Sequence, residues 1–75
     1  MKASLKLTAV FEEASEGGYI AYVEEINGVN SQGDTLEEAK ANLAEALEMI
    51  METQRMLSRE EHKNKKVIRE TLELV

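Results

Sequence analysis

The side chains here that could do chemistry are carboxylates, a histidine and a few serines. Glu45, Glu48 and Glu52 recur at helical spacing. Carboxylates so placed can hold a hard divalent cation, which takes oxygen ligands. The same spacing also describes a solvated acidic helix face, with Glu52 three residues from Arg55 in position for an ion pair; we adopt this second reading. His62 sits among Glu60, Glu61 and Lys63 in a charged run. Zinc sites are built from several histidine or cysteine ligands, and one histidine with no cysteine does not supply them, so neither a metal nor a cofactor is expected. Ser15, Ser31 and Ser58 fall in or beside turns without a neighbouring base to activate them. Thr35 is placed to cap a helix. What remains is recognition chemistry: the acidic residues Glu12, Glu13, Glu24 and Glu25, and the tyrosines Tyr19 and Tyr22.

The elements that must position these groups are legible from hydrophobic period. From Leu5 to Glu12 the chain alternates, with Leu5, Leu7, Ala9 and Phe11 on one face and Lys6, Thr8 and Glu12 on the other, as in a half-buried strand. Val10 adds an apolar group to the polar side. Ala14 to Gly18 reads as a hairpin loop, since its glycines tolerate positive φ. Tyr19 to Val23 is apolar throughout, which predicts a central strand. Its alternation sends Tyr19, Ala21 and Val23 one way and Ile20 and Tyr22 the other. A turn at Asn27-Gly28 leads into a third strand around Val29 to Gln32.

Thr35 and Glu38 form a capping box that opens a helix. Leu36, Ala39, Leu43, Ala46, Leu47, Ile50 and Leu57 then recur on one side. A helix reaching Leu57 is roughly 30 Å long, so Met49, Met56 and Leu57 overhang the short strands. Ser58 to Lys66 is a polar connector. Lys66 to Val75 alternates and is expected to form a last strand with Ile68, Leu72 and Leu74 on one face, although Ile68, Leu72 and Val75 also fit a helix. The expected fold is α+β, a two-layer β-β-β-α-β unit with an antiparallel-rich sheet and one long helix on one face, in a single domain over residues 1–75.

A chain of 75 residues buries only about 60–65% of its unfolded surface. Small folds of this kind lean on disulfides, metals or self-association. Without cysteine, self-association is the expected route. The net charge of −6 disfavours binding dominated by nucleic-acid phosphates, which relies on basic side chains. Residues 1–54 carry three basic groups against eleven acidic ones, and residues 55–75 carry six against four. Lys63, Lys65, Lys66 and Arg69 make a weak basic patch, and DNA binding is not expected from this chain alone. The apolar runs are too short to span a bilayer and no signal peptide is evident, so a cytoplasmic protein with no membrane association is expected.

Gly18-Tyr19-Ile20-Ala21-Tyr22-Val23, then Gly28, then Gln32-Gly33-Asp34-Thr35-Leu36-Glu37-Glu38-Ala39 resembles the HicB family of type II antitoxins over roughly residues 5–52. That family's proline-glycine turn is here Glu24-Glu25-Ile26-Asn27-Gly28, and Val29 follows it. The resemblance implies a partial ribonuclease-H-like fold that self-associates. It implies a toxin-binding function without the DNA-binding domain that many members carry. It also implies a partner: a HicA-type toxin, a small basic mRNA-cleaving protein with a catalytic histidine. Active ribonuclease-H-like enzymes hold magnesium on a carboxylate cluster that includes the middle of the first strand. Here those positions are Lys6, Thr8 and Val10, so no catalytic residue and no enzyme is expected. The expected activity is neutralisation of the toxin through Tyr22, Glu24 and Glu25, with Glu12 and Glu13 as further contacts; the alternative is a stand-alone structural or regulatory homo-oligomer. Val10, Ile20, Met49 and Met56 are the expected oligomer interface, because one helix cannot cover both sheet faces and the overhang as well.

Overall fold

A computed structural model describes residues 6–72. It contains strands β1 (Ala9–Glu13), β2 (Tyr19–Val23) and β3 (Asn30–Gly33), then helix α1 (Leu36–Glu61). The strands form one antiparallel sheet in the order β1-β2-β3. The helix lies on one side of it, which gives the expected α+β, two-layer architecture.

The hairpin between β1 and β2 closes through the Ala14 amide donating to the Gly18 carbonyl and the Gly17 amide donating to Ala14, both at 3.0 Å. Gly18 has φ +78°, and a Cβ there would stand 2.7 Å from the Gly33 carbonyl oxygen, so this position excludes any larger residue on two counts. The third strand begins one residue later than its sequence pattern suggested. Val29 precedes it, is 1% exposed, and accepts from the Val23 amide at 3.0 Å. It plugs the end of the core instead of joining the strand.

Thr35 caps α1 from an extended backbone, its hydroxyl accepting from the Glu38 amide at 3.1 Å. This is the hydroxyl half of the capping box. The first turn then settles directly on β3. A Cβ on Gly33 would come within 2.5 Å of the Ala39 backbone nitrogen, so the absence of a side chain at Gly33 sets how closely helix and sheet approach. Asn42, one turn further on, donates to the Gln32 carbonyl at 2.9 Å.

The core is small. Ala21, Val23, Val29, Ala39 and Leu43 are buried, with Phe11, Tyr19, Ile26, Ala46, Leu47 and Ile50 packed around them. Every strand residue in this set lies on the predicted inner face. The helix, however, continues beyond the predicted Leu57 through Glu61, where the His62 amide donates to the Ser58 carbonyl and ends it. Its 26 residues make it about 39 Å long, against about 17 Å for a five-residue strand.

The expected last strand does not form over residues 66–72, which have no regular secondary structure; Leu74 and Val75 lie outside the described residues. Alternation makes a strand only where a neighbouring strand offers its edge. The helix carries the chain past the sheet, and Ile68 to Thr71 come to lie beside Met51, Gln54, Arg55, Ser58 and Arg59. That segment meets the flank of a helix, and Ile68 and Leu72 are left almost fully exposed.

Candidate functional site

Because side chains alternate across a strand, the register of the sheet fixes what its second face presents. Val10 is paired with Tyr22, and Tyr22 with Asn30; Glu12 is paired with Ile20, and Ile20 with Gln32. These six side chains form two rows across the sheet, on the side away from α1. The centre is apolar: Ile20 and Tyr22 are 43% and 36% exposed, and Val10 is half-buried between the strands. Glu12, Asn30 and Gln32 border it with polar groups. An aromatic and aliphatic centre with a polar rim is the composition of a protein interface.

Several sequence-predicted residues are brought together here: Tyr22, Val10, Ile20 and Glu12 share the face, and Glu24 follows at the end of β2. Its amide donates to the Thr8 carbonyl at 2.9 Å, extending the pairing of the first two strands. Glu13 is separated from Glu12 by the alternation and sits opposite Tyr19 on the other side. There it borders an open depression of about 800 Å³ with Glu16, Asp34, Glu38 and Asn42.

Glu25 has a different role from Glu24. Its carboxylate accepts from the Thr8 amide at 2.8 Å and, through its second oxygen, from the Thr8 hydroxyl at 2.7 Å. Both oxygens are engaged within the chain. These bonds from the Thr8 amide and hydroxyl favour the charged form and hold the Glu25 carboxyl below its ordinary range. The Thr8–Glu25 clamp has no signature in a single sequence, because the two residues are 17 positions apart and joined by side-chain geometry. The polar row of Asn30 and Gln32 was legible in principle, since it is the outward register of the third strand.

The expected oligomer residues fall on two surfaces. Val10 and Ile20 are on the sheet, while Met49 and Met56 are on α1, 65% and 62% exposed. Among the described residues no three histidine, aspartate or glutamate side chains gather closely enough to hold a metal ion. Glu45 and Glu48 are exposed, and Glu52 pairs with Arg55 at 3.3 Å on the helix surface. Ser15 lies in the hairpin, Ser31 in β3, and Ser58 contributes its carbonyl to the helix end. No helix among the described residues is long and apolar enough to cross a membrane.

A family model described as UPF0150-like matches residues 1–56, spanning the sheet and most of the helix. The chain is 54% identical over 52 residues to UPF0150 protein ssl0738 of Synechocystis sp., covering 69% of each. It is 44% identical over 46 residues to UPF0150 protein ssr1765 of the same organism, covering 61% of this chain and 58% of that one. No solved structure matches the chain. With three-quarters of its length accounted for by one family model, the chain belongs to the UPF0150-like family.

Proposed function

We propose that this protein is an antitoxin-like inhibitor which neutralises a small basic mRNA-cleaving toxin of the HicA type by direct contact, and that it catalyses no reaction itself. The observation that carries this reading is the uncovered apolar strip of Val10, Ile20 and Tyr22 on the sheet face opposite the helix. Two further features support it. The first 54 residues are strongly acidic, which suits an encounter with a basic partner and raises its rate and selectivity more than its affinity. The residues from Gly18 to Ala39 resemble those of HicB antitoxins.

In this reading Tyr22 is the anchor, since a tyrosine at the centre of a patch carries a large share of binding energy. Glu12 and Glu24 stand where RNA phosphates would approach the toxin. Glu25 acts through the field of its charge and by holding the strand end beside Tyr22, because both its oxygens are bonded to Thr8. Calorimetric titration of the chain with the HicA-like protein encoded beside it tests the proposal. A complex at sub-micromolar concentration is expected, weakened about 30-fold by Tyr22→Ala. No complex at micromolar concentrations would sink it.

A further inference from the structure

Ala39, Ala46 and Thr53 recur every seven residues along α1, and so do Leu43, Ile50 and Leu57. Together they trace one stripe of the kind that seats a neighbouring helix. The chain's own sheet covers only its beginning. Ala39 and Leu43 are buried, Ala46 and Ile50 are half-buried, and Leu57 is 58% exposed with Met49 and Met56 beside it. The apolar stripe therefore runs on past the sheet that would bury it.

We infer that a second copy of this chain packs along this distal stripe, its α1 antiparallel to the first across Ile50, Thr53 and Leu57, with Met49 and Met56 at the margin.

Surface area argues for an occupant of this size. The accessible surface is 6786 Å², whereas a compact monomer of this mass exposes about 4,600 Å². The excess is well above the roughly 800 Å² that each partner contributes to an ordinary stable interface. The radius of gyration, 16.1 Å, likewise exceeds the roughly 11 Å of a compact chain of 75 residues.

Charge selects both the partner and its direction. Glu45, Glu48, Glu52, Arg55 and Arg59 follow one another at alternating spacings of three and four, so they share one flank of the helix, next to Met49 and Met56. The flank is acidic before the stripe's midpoint and basic after it. Two antiparallel copies set Arg59 of each beside Glu48 of the other; two parallel copies would set like charges side by side. A self-complementary two-fold contact follows directly, since the same patch serves both copies.

Sedimentation equilibrium of the full chain from micromolar to millimolar concentration is the test. A dimer is expected, and Leu57→Glu weakens it by about 30-fold or more, with unchanged helix content because the site is exposed. Arg59→Glu weakens it, and adding Glu48→Arg restores it. Orientation is read by oxidation: Thr53→Cys cross-links to its own copy, while Glu60→Cys does not. Overturning results are a monomer throughout, a dimer insensitive to Leu57→Glu but lost on Ile20→Glu, or self-cross-linking at both positions. The proposal stands apart from toxin binding: Leu57→Glu leaves the toxin titration unchanged, and Tyr22→Ala leaves the dimer unchanged.

Discussion

At the scale of single residues, Glu25 shows how a side chain suited to recognition is taken up by the fold. In sequence it is the twin of Glu24, yet it bonds twice to Thr8 while its neighbour continues the backbone pairing. Its carboxyl is held below the ordinary value of 4.5, so the charged form is the one the fold favours. The stabilisation is fully present above the unfolded value and is lost as pH falls through the lower folded value. Glu25→Gln cannot accept from the Thr8 amide and hydroxyl at once, because its second position is a donor. The expected outcome is a lower melting temperature for the variant at neutral pH, with the gap to the parent closing as the solution is acidified below about pH 4.5. A gap unchanged down to pH 3 would assign the effect to something other than this carboxylate.

At the scale of elements, the helix start was the most legible feature of the chain. A cap is a local contract between Thr35 and a backbone amide three residues on, and residues that close meet whatever the rest of the fold does. Thr35→Ala is expected to cost about 1 kcal/mol in chemical denaturation, and Thr35→Ser to recover most of it. The strand faces were legible for the same reason, since Ala21 and Val23 point inward and Ile20 and Tyr22 outward by alternation alone. The last strand was misread because its alternation is a property of the segment, whereas a ladder belongs to two segments. Residues 68–71 lie against the flank of α1, where there is no edge to pair with.

At the scale of the whole molecule, five buried side chains make a slender core beneath a helix twice as long as the strands. A second copy along the distal stripe removes from water the part of the helix that the sheet does not reach. Folding is then linked to association, so the melting temperature is expected to rise with protein concentration. Scanning calorimetry over a hundredfold dilution series measures this, and the Leu57→Glu variant is expected to lose the dependence. The two open surfaces also divide the labour. The sheet face and the distal stripe lie on different layers, so one molecule can hold its own copy and a toxin at the same time.

The amino-acid sequence by itself determined the kind of each element, its inward and outward faces, the helix cap and the surplus of apolar side chains. All of these follow from period or from neighbours within a turn. Only the tertiary structure decided that Glu25 closes on Thr8, that Glu12 and Glu13 part to opposite faces, that Gly33 admits the helix backbone, and that the tail lies along a helix. Those outcomes depend on which distant segments become adjacent, and adjacency is fixed by packing over the whole chain.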